Sequence, residues 1–397
     1  MKFPMPYRFA LRTLLWALPL GLPVAAFELS LWRAGETTPI GEICAVLAAR
    51  PDALFGRQFF DQGLYRFKWA SILQRNPAMI ALGNSRVMQF RREMFGARSA
   101  DFFNAGGMIQ HVRDFEQFVE ILPADTRIAC VILGVEYSWF NDCAAIVAER
   151  TRVLAKSIRS DEGLDGFAHG HVFQQVLRNG LTSDLSRPSW AVLAGAWRGG
   201  DAAAVNAWGF MARNRHAGFR PDGSFEYGLS APGDWTFQDR EHPTVIERIK
   251  TGTRGFEPMV ALSEDRVERF LACVRALKAR GITVLCFAPP YPSAAIAALE
   301  ASPDQRGGWR QYREELPARI RGAGAVYVDA STPGALGMDD RCMRDGLHAM
   351  ETFHARILVA LAGQPGADPA GLDPAFLRRL IDDPRSNPWF PNYGGVQ

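Results

Sequence analysis

From Pro77 onward the chain alternates short, unbroken apolar runs with stretches in which apolar residues recur at helical spacing. Met79–Gly83, Ile128–Leu133, Thr283–Ala288 and Ala325–Asp329 are largely apolar runs of strand length, which predicts strands covered on both faces, and Ala100–Asn104 is read as a further, short strand. Val87, Phe90 and Met94 predict a helix after the first of these runs. Phe115, Phe118, Val119 and Leu122 predict another over Val112–Leu122. Further helices are expected over Asp265–Arg280, Arg310–Arg321 and Thr352–Leu361. Strands joined by helical crossovers imply an α/β fold with a doubly wound, parallel, five-stranded sheet. Functional groups of such sheets gather at the carboxyl ends of the strands, and Ser85, Gly106, Glu136 and Asp345 all fall there.

The pattern breaks on either side of this core. Lys2, Arg8 and Arg12 precede an apolar stretch running to Trp32, which predicts a membrane anchor over residues 1–32 with the remainder outside the cytoplasm. A cleaved signal peptide is the rival reading, because Val24, Ala25 and Ala26 are the small residues a signal peptidase accepts. Residues 33–76 read as a juxtamembrane connector with a helix over Ile40–Arg50 and an aromatic stretch, Phe59–Trp69, packed on the main domain. The core is then residues 77–144 and 264–363, interrupted over 145–263 by a mostly helical insertion holding Trp190, Trp197, Trp208 and Trp235. Asp222-Gly223 predicts a tight turn between short extended pieces of it. The insertion is either a cap or saccharide-binding surface, or a satellite core filled by its tryptophans. Residues 364–397 read as a peripheral tail with a helix over Ala375–Ile381.

Composition narrows this picture only a little. The chain has 397 residues, 48% hydrophobic, with a net charge of +3, too small to argue for a nucleic-acid partner. Six cysteines in an exported chain could pair, but Cys130 and Cys286 lie inside apolar runs and read as buried thiols. Neither Cys-x-x-Cys nor a His/Cys ligand cluster occurs, so no metal or cofactor is expected.

The candidate chemistry rests on Ser85, which follows the first strand in Gly83-Asn84-Ser85, and on Asp345 and His348 near the end of the core. A strand-to-helix turn can present a hydroxyl with backbone amides behind it. The Asp-x-x-His spacing lets one turn hold the carboxylate against the imidazole, which then serves as base for the serine. The bland alternatives are a helix N-cap for Ser85 and a capping pair for Asp345 and His348. His111 is read as a helix start and His354 as structural.

These blocks resemble the SGNH (GDSL-like) hydrolase superfamily over about 77–141 and 281–361, which implies an SGNH/flavodoxin-like sheet. Gly83-Asn84-Ser85 is similar to the family's Gly-Asp-Ser, with Asn84 where Asp is usual. The resemblance implies a catalytic set of Ser85, Asp345 and His348, with the amides of Ser85 and Gly106 as oxyanion donors. Arg86, Asn104 and Glu136 stand as possible substrate or supporting residues. The third block departs from the family: Glu136 replaces an Asn that would donate to the oxyanion. Glu136 then either faces the oxyanion or turns aside, with Arg86 as a partner. Anchor, early serine and late Asp-x-x-His together look most like single-pass proteins of the bacterial inner membrane, with the catalytic domain periplasmic. Such proteins partner membrane-bound O-acyltransferases and pass an acyl group to a cell-surface polysaccharide. An esterase with the same triad, and a non-catalytic glycan-binding or assembly accessory, remain as alternatives.

Overall fold

The structure is a computed structural model that describes residues 5–143, 164, 166–184, 186–228 and 236–393. Trp235 and much of the start of the expected insertion lie outside the described residues. The chain divides into two compact units: Met1–Gly63 with Asp161–Pro221 and Glu226–Leu229, and Leu64–Ser160 with Asp222–Phe225 and Ser230–Gln397.

The second unit carries the expected sheet. Strands β1 (Met79–Gly83), β2 (Phe102–Gly106), β3 (Cys130–Gly134), β4 (Thr283–Ala288) and β5 (Val326–Asp329) lie in the order β2-β1-β3-β4-β5. All four neighbouring pairs are parallel. Successive side chains of a strand point to opposite faces, and here both faces are covered. Ile80, Leu82, Val131, Leu133 and Val284 enter one core with the helices Val112–Ile121 and Glu264–Ala279. Met79, Ala81, Ile132, Leu285 and Phe287 enter the other with the helix Glu351–Ala362. Burial on both sides is why these strands read as unbroken apolar runs.

Three expectations for this unit are corrected. No α-helix follows β1. The chain makes a 3-10 turn over Ser85–Val87 and an irregular 3-10 run over Arg92–Asp101 with Gly96 at φ 51°. The side-chain amide of Asn104 takes the carbonyls of Val87 and Phe90, each at 2.9 Å, which are the acceptors a helix would have used. The second strand runs Phe102–Gly106 instead of Ala100–Asn104, so Gly106 ends a strand, paired with Gly83. The tail is not peripheral: Leu377, Leu380 and Trp389 are buried, and the Trp389 indole donates to the Arg341 carbonyl.

The connector and the insertion do not exist as separate pieces. Helix Leu64–Arg75 belongs to the sheet-bearing unit, as does helix Thr236–Thr251, whose Val245 and Ile249 enter its core. The first unit has a small sheet of its own, including Leu54–Phe55, Ala207–Trp208 and Ala217–Phe219. The Asp222-Gly223 turn forms as expected, with Gly223 at φ +79°, and its tip Asp222–Phe225 is part of the sheet-bearing unit.

The proposed anchor is a 30-residue helix, Met5–Ala34. Residues 1–4 and most of its side chains up to residue 20 lie outside the described residues. Among the described residues no helix is long and apolar enough to cross a membrane. One face of the helix buries Phe27, Leu31 and Ala34, whereas Leu18, Leu22, Leu29 and Trp32 are exposed.

Candidate functional site

The carboxyl edge of the sheet positions the site. β1 ends at Gly83, whose φ of +150° suits glycine, and a Cβ there would come within 2.9 Å of Val87. Asn84 caps the 3-10 turn, its Oδ1 accepting the Arg86 N–H at 2.9 Å. The capping alternative for Ser85 is therefore filled by its neighbour. The Ser85 hydroxyl is left half-exposed and lies 2.8 Å from His348 Nε2.

The opposing loop is built around Asp345. Met343 and Ala349 form an isolated antiparallel bridge, and the Arg344 N–H donates to the His348 carbonyl at 2.7 Å, closing a tight turn. Asp345 Oδ1 accepts the backbone N–H groups of Leu347 and His348, each at 2.8 Å. The same carboxylate stands 2.9 Å from His348 Nδ1. Burial alone would raise the Asp345 carboxyl. The His348 charge, the imidazole hydrogen bond and the two amides outweigh it and hold the group well below the usual carboxylate range. With Nδ1–H donating to Asp345, Nε2 is free to accept the Ser85 proton, so Ser85, His348 and Asp345 form one hydrogen-bonded line.

Arg86 and Glu136 meet beside that line, at the β1/β3 position where the strand order reverses. Arg86 Nη1 is 2.8 Å from Glu136 Oε2, with the two side chains 4% and 3% exposed. Arg86 Nη2 donates to the Pro290 carbonyl, and the guanidinium lies 4.1 Å from the Tyr291 ring centroid. Burial raises the Glu136 carboxyl and Arg86 pulls it back. Arg86 Nε and Glu136 Oε1 are buried without a hydrogen-bond partner among the described residues. Of the two positions open to Glu136, the structure has it turned to Arg86.

The expected oxyanion donors fare differently. Among the described residues no acceptor takes the Ser85 N–H. The Gly106 N–H, by contrast, donates to Asn104 Oδ1 at 2.8 Å, and the Gly107 N–H donates to the carbonyls of Gly83 and Asn84. The Gly106 expectation is corrected for a plain reason: as the last strand residue it sits under the Asn104 side chain, which claims its amide. Asn104 is fully buried and braces the nucleophile turn from behind, with both ends of its amide engaged inside the protein.

Two buried residues stand behind the site, and only the second was not legible in the sequence. His354 is structural, as expected: it is buried with Nε2 2.9 Å from the Arg86 carbonyl and Nδ1 2.9 Å from that of Met350, and the neutral ring donates to one of these two carbonyls. Burial lowers its pKa to about 4. Lys68 is fully buried, and its ammonium donates to the carbonyls of Asn104 and Gly223. Burial lowers its pKa to about 7, with Asp222 opposing the shift. A lysine flanked by Phe67 and Trp69 was the available signal, but its partners arrive from distant positions. His111 N-caps the helix Val112–Ile121.

The chain matches no protein-family model, no curated protein and no solved structure.

Proposed function

We propose that the protein is an SGNH-like O-acyltransferase that modifies a cell-surface glycan through Ser85, His348 and Asp345. The observation that carries this reading is the continuous line from Ser85 Oγ through His348 to Asp345 at the carboxyl edge of a doubly wound sheet. In the proposed cycle His348 Nε2 takes the Ser85 proton as Oγ attacks the donor's acyl carbon. The leaving group departs with that proton, giving an acyl-Ser85. A glycan hydroxyl then loses its proton to Nε2 and attacks the ester, forming the new ester and returning the proton to Ser85.

A membrane-bound O-acyltransferase is the proposed donor, and the bilayer of the inner membrane the proposed site of attachment. The apolar positions Leu18, Leu22, Leu29 and Trp32, exposed along one helix behind Arg8 and Arg12, support membrane attachment. The engaged Gly106 amide and the missing third donor favour a second reading, a non-catalytic glycan-binding accessory. Full-length protein given an activated acetyl ester, with and without a polysaccharide, separates the readings. Transfer predicts acetyl-Ser85 by mass spectrometry, cleared by added glycan with acetate appearing on the glycan. Acetate released alone, with or without glycan, marks an esterase; no acyl-Ser85 under any condition marks the accessory.

A further inference from the structure

Ser85 and His348 are carried by separate runs of chain, and a buried ion pair joins those runs a few residues further on. Arg91 lies six residues after Ser85, and Glu351 lies three after His348 as the first residue of the helix Glu351–Ala362. Arg91 Nε donates to Glu351 Oε1 at 2.8 Å, with the two side chains 0% and 4% exposed. The far side of the guanidinium is fixed as well: Nη1 donates to Ser224 Oγ at 2.7 Å and Nη2 to Gln89 Oε1 at 3.3 Å. The Ser224 hydroxyl donates in turn to Asp222 Oδ1, and Asp222 Oδ2 accepts the Arg92 N–H at 2.9 Å. Glu351 Oε2 accepts the Tyr393 hydroxyl at 2.7 Å, so both oxygens of this carboxylate are engaged.

We infer that Arg91 and Glu351 are positioning residues for the nucleophile and its base: their ion pair sets the separation of Ser85 Oγ and His348 Nε2. As a statement about catalysis this rests on the acyl-transfer reading; as a statement about geometry it stands apart from it. Val87, Phe90, Met343 and Ala349, from the same two runs, share one apolar core, but apolar packing is non-directional. A charge-assisted hydrogen bond has a defined length and angle, so it fixes how the run bearing His348 sits along the run bearing Ser85. A buried pair adds little net stability, because desolvation offsets its attraction. What it contributes at this joint is geometry. The hydroxyl and the imidazole are 2.8 Å apart, within reach for proton transfer, and a displacement of about 1 Å can cost about a hundredfold in rate. Arg91 and Glu351 act on that distance through the backbone of the two runs.

Two variants of the full chain test it. Glu351→Asp keeps the charge but shortens the arm by one methylene. Tyr393→Phe removes one hydrogen bond to the carboxylate and alters a side chain that is only partly buried, so it decides the question even if Glu351→Asp does not fold. Labelling of Ser85 by a fluorophosphonate separates positioning from plain support of the fold. The rate constant at saturating probe should fall by about tenfold to a hundredfold in Glu351→Asp and by about threefold in Tyr393→Phe. The half-saturating probe concentration and the final labelled fraction of folded protein should not change. A smaller labelled fraction reacting at the wild-type rate constant would overturn the inference. The nitrogen-15 resonance of His348 Nε2 reads the same contact without any acyl chemistry. Ser85→Ala should shift it in the wild-type background and leave it nearly unmoved in Glu351→Asp, with an intermediate shift in Tyr393→Phe. Equal shifts in all backgrounds, or none in the wild type, would also overturn the inference. Absence of any Ser85 adduct in the wild type, with the resonance behaving as expected, would count against the transfer chemistry alone.

Discussion

Two carboxylates stand at the same edge of the sheet and are pushed in opposite directions. Asp345 is held below the usual range by an imidazole and two backbone amides, in a loop with 14% of its side chain exposed. Glu136 is raised by burial although a guanidinium lies 2.8 Å away. Both are carboxylates at one sheet edge; the difference lies in what replaces water. Asp345 is supplied with donors that reproduce its hydration, whereas Arg86, His348 and Asn84 do not offset the burial of Glu136, whose Oε1 has no hydrogen-bond partner among the described residues. The first arrangement suits a group that must stay charged while a proton moves beside it. The second suits a group that locks a backbone turn.

Removing the imidazole breaks the comparison most severely. His348→Ala should lower acyl turnover by at least about a thousandfold, and Ser85→Ala combined with it should add little, because members of such a line act as a unit. Kinetics on both variants and the double variant check this. An additive double loss would separate the two residues.

Glu136→Gln attacks the other side. It leaves Arg86 buried and uncompensated, a change that typically costs about 3–5 kcal/mol. Denaturant unfolding should register that loss, while turnover of the protein that remains folded changes far less. A large fall in turnover at unchanged stability would give Glu136 a direct part in the chemistry.

His354 is pushed by burial in the same sense as Glu136, toward its neutral form, and links the buried side to pH. Its pKa is about 4 in the folded protein against 6.5 ordinarily. Between those values the unfolded chain binds more protons, so stability falls as the pH drops from 6.5 to 4, by about 3 kcal/mol from this group. Unfolding midpoints across that window should show the decline, and His354→Gln should flatten it. A decline of equal size in the variant would place its origin elsewhere.

Legibility divides along the same boundary. The five strands and the Ser85, Asp345 and His348 set could be read because each depends on local pattern: unbroken apolar runs, a Gly-Asn-Ser turn and a three-residue spacing. The absent helix after β1 and the engaged Gly106 amide could not, since both follow from Asn104 reaching across to a neighbouring segment. The same holds for Lys68, which meets Gly223 only in the folded chain. The unit boundaries were not legible either, because helices Leu64–Arg75 and Thr236–Thr251 are assigned to the sheet-bearing unit by packing with residues distant in sequence.

The smallest expected effect sharpens the account of Asp345. Arg344 Nη1 is 3.7 Å from the Asp345 carboxylate, too far for a hydrogen bond, and both side chains are partly exposed. If the imidazole and amides hold Asp345 charged, Arg344→Gln should change turnover by no more than about fivefold, as expected for losing a partly exposed ion pair. A shift of the acid limb of the pH–rate profile in that variant would assign the effect to Arg344.

The most direct test of the central claim is covalent labelling of Ser85 in the full chain by a fluorophosphonate. The account predicts a single adduct, mapped by mass spectrometry to Ser85, that disappears in His348→Ala and survives in Arg344→Gln. An adduct on another residue, or undiminished labelling of Ser85 without His348, would contradict it.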